Sequence, residues 1–429
     1  MTEPIYPISE SSPIGGGGGH SSLEPKRGLR WLIALSAVGI HIAIGSVYAW
    51  SVYTPPLVDQ MGWELADTQL TFSLAIFFLG ISAAFLGKFI EKIGPRKAGM
   101  LSALFFGVGI MGSGLAVQLN SIYLLYMCYG VLGGIGLGIG YIAPVATLLK
   151  WFPDKRGLAS GIAIMGFGFA ALISSPVIVF LIAATGIAGA FYITGAAYLS
   201  IIFISSLYLT PPPAQWIPVG FKQPELSKNS EGIPDLSGRE VLRSKNFWFL
   251  WIMFFINISC GIAIISAASP MAQEYAGLSA VSAAAMVGFM GLFNGAGRIG
   301  WATLSDLTGR PAMFRIFFVI QIAAYLLLTI KSDPILFQIL IFIIISCYGG
   351  GFATMPAFLT DMFGTRNLGT ILGYMLTAWA AAGLAGPLFA AWTRSITSSY
   401  DETLYVFAGL LVLALAISFL MGRRRVESE

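Results

Sequence analysis

The chain has 429 residues, of which 56% are hydrophobic and only 10% charged; its formal net charge is +4 and its mean hydropathy is +0.80. A water-soluble chain carries roughly 25% charged residues. This composition therefore excludes a soluble globular protein and points to helices that lie in a bilayer.

Residues 1–30 are polar, contain the run Gly15–Gly19 and lack the apolar core of a signal peptide. They are expected to form a disordered tail, with His20 solvated. Apolar runs of about 20 residues, the length that spans a bilayer as a helix, follow at 31–53, 68–90, 97–117, 122–149, 158–182 and 187–209. A polar segment at 210–245 holds Pro211, Pro212, Pro213 and scattered charges. Six further runs occupy 246–270, 280–304, 313–331, 335–360, 368–392 and 403–421, leaving 422–429 as a tail. The expected fold is an all-α polytopic membrane protein. Its twelve transmembrane helices form two six-helix halves, 31–209 and 246–421, joined by a linker at 210–245. Cys128, Cys260 and Cys347 fall inside apolar runs at no metal-ligand spacing and read as packing residues.

Charge placement tests this count. With both termini cytoplasmic, 21 of the 24 Lys and Arg residues fall on the cytoplasmic side. Lys331 and Arg394 fall outside, and Arg298 stays in the membrane. This is the bias of the positive-inside rule, and a missed helix would scramble it. The halves also repeat. Gly87, Glu91, Gly94 and Arg96 follow the second span as Ala302, Asp306, Gly309 and Arg310 follow the eighth, with Gly94 and Gly309 215 residues apart. Cys128–Tyr129–Gly130 in the fourth span matches Cys347–Tyr348–Gly349 in the tenth. Even-membered halves make this a parallel repeat. The glycines from Gly130 to Gly140 lie within a span with no preceding strand, so they read as helix-packing positions and not as a nucleotide loop.

The paired Gly–x3–acid–x2–Gly loops resemble the loop signature of the major facilitator superfamily, along the chain from about 31 to 421; the second copy departs from it at Ala302. Within that superfamily, the stretch Ile44 to Tyr53 resembles the first helix of the oxalate/formate antiporter family. Trp151 to Ala163 resembles the loop and fifth helix of that family and of monocarboxylate transporters, and Thr377–Ala378–Trp379 through Gly386–Pro387 fits too. The resemblance implies alternating access by two rocking halves, with Glu91, Arg96, Asp306 and Arg310 gating the inner face. Read from the residues alone, these loops fit either such charge relays or solvated, topogenic charges.

Arg298 is the residue that the composition least explains. An arginine at the centre of a membrane helix costs about 2.5–3.5 kcal/mol on insertion scales, so it needs a polar cavity or a partner. It lies eight residues before Asp306, about 12 Å deep at 1.5 Å per residue. No acid lies deep in another span, which favours a mobile anion, and a guanidinium matches a carboxylate with two parallel hydrogen bonds. Asn294, four residues earlier on the same face, can bond the anion, orient Arg298 or simply pack. His41 is the only histidine in a span, and serves either as a helix contact or as cavity lining. Tyr48, Tyr141, Tyr348 and Trp379 fit an aromatic wall or ordinary packing. Family members line the cavity from the first, fourth, eighth, tenth and eleventh helices, which favours the wall.

Oxalate-exchanging members look to a lysine on the eleventh helix as a second cation, and here Gly369 to Trp392 holds no Lys or Arg. One guanidinium matches one carboxylate, whereas a dianion would keep an uncompensated charge at low dielectric. The expected activity is transport of a monocarboxylate of the lactate, pyruvate or formate class, coupled to protons, with oxalate/formate-type exchange as the alternative. Monocarboxylate transporters resembling this chain use an acid where Asn294 stands. A proton would then fall to His41, Glu274, Asp306 or the substrate acid itself. The expected partners are a small carboxylate, protons and the lipid of a cell membrane; no cofactor, metal or nucleic acid is expected. A transport-inactive sensor would need an added signalling domain, and an enzyme would need a metal cluster or paired deep acids.

Overall fold

The computed structural model describes residues 29–152, 156–213, 216, 218, 236–330, 333–364 and 367–421, without the side chains of Lys88, Glu91 and residues 156–164. Of the expected tails, 1–28 and 422–429 lie outside the described residues, as does most of the linker; Leu29 and Arg30, expected in the first tail, already belong to the first helix. Every regular element that is described is helical.

The first helix spans Leu29–Val52 and changes from α-helix to 3-10 helix at Ser46. A short helix at Thr54–Met61 leads into the second, Leu65–Phe85; the third is Pro95–Gln118. The fourth, Ile122–Trp151, contains a π-helical stretch at Tyr126–Gly133. The fifth and sixth run together as Arg156–Tyr208, but Gly186 has φ 76° and ψ 174°, a backbone region open almost only to glycine. That residue divides the segment into two helices, 156–185 and 187–208. The seventh to twelfth helices are Lys245–Ala276, Ala280–Thr308, Arg310–Leu328, Pro334–Phe363, Leu368–Thr397 and Asp401–Leu420. With the break at Gly186, twelve apolar helices are described.

Two boundaries differ from the sequence expectation in an instructive way. The second helix stops at Phe85, and the charged run after it forms its own helix, Gly87–Ile93. Inside the expected linker lies a helix at Gly238–Arg243, started by a capping box between Ser237 and Glu240. Its leading edge is tied to the second half: Leu236 N–H donates to the Phe363 carbonyl at 3.2 Å, and Asn367 Nδ2 donates to the Leu236 carbonyl at 3.0 Å.

The repeat is visible in the backbone. Gly94 (φ 82°, ψ 158°) and Gly309 (φ 83°, ψ 147°) make the same turn in the two halves, each immediately before a helix with proline in its first turn. The glycine run of the fourth helix is used on two faces. Gly134 and Gly138 sit on Ala75, Phe78, Leu79 and Ser82 of the second helix, and Gly136 and Gly140 sit on Phe106 and Ser102 of the third. Small residues at these spacings let backbones approach closely, which is how helices pack in lipid.

The halves meet along two long seams. The second helix lies against the eleventh, with Gly80 on Ala380, and the fifth lies against the eighth, with Gly168 on Gly295. At the end of the bundle remote from the linker (the far side), the 3-10 segment and the short helix Thr54–Met61 also press on the seventh. Gln69 Nε2 donates to the Ser266 carbonyl there at 3.0 Å. Toward the linker side, the fourth and tenth helices find their main packing partners within their own halves.

Candidate functional site

The site grows from the eighth helix, started by Ser279, whose hydroxyl accepts from Ser282 N–H at 3.2 Å. Arg298 lies ten residues before its end, about 15 Å along the axis. It is 6% exposed, and among the described residues it is the only buried Asp, Glu, Lys or Arg. Its Nε donates to Asn294 Oδ1 at 3.3 Å, while the buried Nη1 has no hydrogen-bond partner among the described residues. The guanidinium carbon is 5.4 Å from the centroid of the Phe352 ring, within cation–π range. Asn294 can occupy its place because Gly349 faces it; a methyl group on Gly349 would overlap the Asn294 backbone and side-chain oxygens.

Aromatic side chains from both halves close around this arginine. Tyr48 of the first helix and Tyr348 of the tenth share a hydroxyl–hydroxyl hydrogen bond of 2.8 Å across the halves. Tyr48 meets Phe167 of the fifth helix edge-on at 4.8 Å, and Tyr141 of the fourth helix meets Phe167 at 5.8 Å and Trp379 of the eleventh at 5.5 Å. Trp379 reaches Phe352 at 4.8 Å, and Phe352 reaches Tyr348 at 5.3 Å, which closes the ring of contacts. The charge of Arg298 is within electrostatic reach of His41, Tyr48, Tyr141 and Tyr348.

His41 joins the same cluster, 5.7 Å from Tyr141 and fully buried. Its Nδ1 is 2.9 Å from the Ala37 carbonyl. A carbonyl only accepts, so Nδ1 carries the hydrogen and the neutral ring keeps a lone pair on Nε2. That nitrogen has no partner among the described residues, and neither does the indole N–H of Trp379.

All seven residues singled out in the sequence for binding (Arg298, Asn294, His41, Tyr48, Tyr141, Tyr348 and Trp379) thus fall in one connected cluster. Two members were missed. Phe352 is four residues after Tyr348 and so shares its helical face, a signal available in the sequence. Phe167 carries no polar group and looks like any other apolar residue of its span.

The loop residues lie elsewhere. Arg310 bonds Asp306 at 2.5 Å, Asp361 Oδ2 at 3.4 Å and the Ser305 hydroxyl, tying together the linker-side ends of the eighth, ninth and tenth helices. Asp361 was not anticipated. All of these contacts fall within the second half. In the first half Arg96 is exposed, and the side chain of Glu91 lies outside the described residues. Glu274 is at the far-side end of the seventh helix, where Arg394 bonds it through Nε at 2.9 Å and Nη2 at 2.8 Å. Of His41, Glu274 and Asp306, only His41 therefore lies beside Arg298. Arg394 is also the only Lys or Arg of the eleventh helix, and it sits in its last turn. Cys128, Cys260 and Cys347 are unpaired.

Comparison with known proteins places this arrangement in a family. The model of the Major Facilitator Superfamily matches residues 35–387. The chain is 30% identical over 362 residues to the oxalate:formate antiporter of Oxalobacter formigenes, covering 84% of each chain. It is 28% identical over 342 residues to the MFS-type transporter YhjX of Escherichia coli (strain K12), covering 79% of this chain and 82% of the other. With monocarboxylate transporter 14 of Mus musculus the identity is 23% over 474 aligned positions, covering 92% and 90%. Among solved structures, a bacterial homologue of the human lysosomal transporter Spinster, inward-facing and unoccupied, has a similar fold. Its TM-score is 0.70 at 18% identity, covering 92% of this chain and 97% of that one. Twelve helices in two repeated halves and a family match over most of the sequence lead to one conclusion: the chain belongs to the Major Facilitator Superfamily.

Proposed function

We propose that this protein is a secondary active transporter that moves a small monocarboxylate of the lactate, pyruvate or formate class by alternating access, with Arg298 holding the carboxylate. The observation that carries this reading is the buried guanidinium with an unpartnered Nη1 inside an aromatic cluster built from both halves. Asn294 fixes Nε, which leaves the outer edge of the fork for a ligand with two oxygens. The tyrosine hydroxyls and aromatic faces suit a short organic acid, giving a few donors in an otherwise apolar surround. A single positive charge neutralises one carboxylate, and that neutralisation makes closure of the site around the ligand electrostatically affordable.

Proton coupling is assigned to the His41 lone pair, whose position beside Tyr141 puts a base in the same cluster as the anion site. The linker side is taken as cytoplasmic on the strength of the charge bias; on this reading both termini are cytoplasmic and the protein lies in the cell membrane. On that orientation the Arg310–Asp306–Asp361 ion pairs belong to the inner gate, with Glu91 and Arg96 as their counterparts in the first half. The role is transport and not catalysis.

A second reading, exchange of oxalate for formate, is favoured by the 30% identity to the oxalate:formate antiporter. Against it stands the eleventh helix, whose one cation is held by Glu274 at the far-side end. Purified protein in proteoliposomes, offered a panel of labelled mono- and dicarboxylates, tests both readings. Monocarboxylate uptake that rises with an inward proton gradient and weakens in His41→Gln supports the proposal. Oxalate counterflow with no monocarboxylate uptake would replace it with the second reading.

A further inference from the structure

The far-side seam between the halves contains polar groups that the anion site does not use. The first helix passes from α to 3-10 geometry at Ser46. In a 3-10 helix, side chains three apart eclipse one another. Tyr48, which faces Tyr348 at the centre, is therefore followed on the same face by Ser51, and Thr54 opens the short helix that comes next. Trp50 and Tyr53 point instead into the first half, against Tyr129 and Phe191. Ser51 and Thr54 are fully buried, and neither hydroxyl has a hydrogen-bond partner among the described residues.

The second helix repeats the pattern. Gln69 donates across the halves to the Ser266 carbonyl, but its Oε1 has no partner among the described residues, and neither does the hydroxyl of Ser73 one turn nearer the centre. The same helix continues with Ile76 and Gly80 against Gly383 and Ala380 of the eleventh, so this face looks toward the other half. The 3-10 segment, the short helix after it and the second helix thus present unpartnered polar groups toward the seam; the first two pack against the seventh helix, and the second helix reaches it through Gln69.

Unpartnered buried hydroxyls and amides are costly, more so where no water can reach them. The run of Ser51, Thr54, Gln69 and Ser73 along one seam is accounted for if water reaches that seam in another conformation. We infer that Ser51, Thr54, Gln69 and Ser73 line the far-side passage to Arg298, closed in the arrangement described and opened to water when the halves part there. In the open form these groups offer the transiting anion hydroxyl and amide donors in a row that ends at Tyr48. The Gln69–Ser266 bond is a cross-half contact that must break for this to happen, as is the Tyr48–Tyr348 pair at the inner end. This inference rests on the transport reading above but does not depend on which anion is carried.

The test is single-cysteine accessibility. Cys128, Cys260 and Cys347 are replaced by alanine, and cysteine is introduced at Ser51, Thr54 or Gln69 in separate proteins reconstituted in one orientation. A membrane-impermeant maleimide is then added on the far side. Uptake of labelled substrate by each variant shows that it folds and cycles. Minor conformers are commonly about 0.1–10% populated, so labelling is expected roughly ten- to a thousandfold slower than at an exposed cysteine, and blocked when the reagent is on the linker side alone. A protein retaining only Cys260, equally buried but turned to the Phe407 carbonyl of the twelfth helix, remains protected. If all three seam cysteines stay as protected as Cys260 in variants that still cycle, the passage does not run along this seam. If they label in a protein that moves no monocarboxylate, the passage stands and the substrate assignment falls.

Discussion

Replacing Asn294 by alanine isolates the contribution of orientation to the anion site. In the structure the carboxamide holds Arg298 Nε at 3.3 Å and leaves Nη1 without a partner. Without Asn294 the Nε–H loses its acceptor and the guanidinium is free to swing out of register with the ligand, so that one of the two hydrogen bonds to the carboxylate is lost. A hydrogen bond to a charged group contributes about 1.5–3 kcal/mol, and 1.4 kcal/mol is a factor of ten. The apparent affinity for the monocarboxylate should therefore weaken by roughly ten- to a hundredfold, while uptake at saturating substrate persists. Equilibrium binding of labelled acid to the purified protein measures this directly. A double-mutant cycle with Arg298→Lys supplies the control, because lysine has no Nε–H in that geometry and the two losses should be far from additive. Wild-type affinity in Asn294→Ala, or additive losses in the cycle, would refute the orienting role.

Other predictions follow from the same geometry. Removing either hydroxyl of the cross-half pair, in Tyr48→Phe or Tyr348→Phe, deletes a neutral hydrogen bond of about 1 kcal/mol. The exchange rate between conformations should change by several-fold without loss of folding, measurable by single-molecule fluorescence; an unchanged rate would mean the bond is not held in one state only. Gly309→Ala forces a methyl group into the backbone region at φ 83° and ψ 147° and should cost about 1–3 kcal/mol of stability, read as a lower melting temperature in detergent. At the linker helix, the Ser237 hydroxyl and backbone N–H hold the Glu240 carboxyl below its ordinary value of 4.5. Because the folded value is the lower one, this cap is fully formed above the ordinary value and is lost as pH falls through the folded value. Amide protection over Gly238–Arg243, taken relative to the intrinsic exchange rate at each pH, should fall only in that acid range, and Glu240→Gln should abolish this dependence.

The twelve helices were legible in the sequence because lipid imposes a length and an apolar composition on each of them. Arg298 was legible for the converse reason, since a charge in such a helix stands out. Asn294 was legible from its register with Arg298, and His41, Tyr141 and Tyr348 from depth; Tyr48 and Trp379 stood out through the family resemblance, and Phe352 could be read from its helical register with Tyr348. Phe167 could not, because an aromatic residue lining a site and one packing in a core have the same composition signal. The break at Gly186 lay between two predicted spans, but that the helices would run into each other depended on one glycine's backbone angles. Asp361 was hidden because the ion pair with Arg310 joins residues 51 apart, which only the packing of the tenth helix against the eighth brings together. The linker helix was missed because proline and charge suggested a structureless connection, although Ser237 and Glu240 at capping-box spacing were there to read.

The central claim is that Arg298 binds the carboxylate of the transported acid, and the most direct measurement is uptake by Arg298→Ala beside the wild type in proteoliposomes. Truncating one partner of a buried charge pair costs about 2–5 kcal/mol, so uptake of labelled lactate, pyruvate or formate should fall by roughly thirtyfold or more, to the level of empty vesicles. Full monocarboxylate uptake by the Arg298→Ala protein would contradict the account.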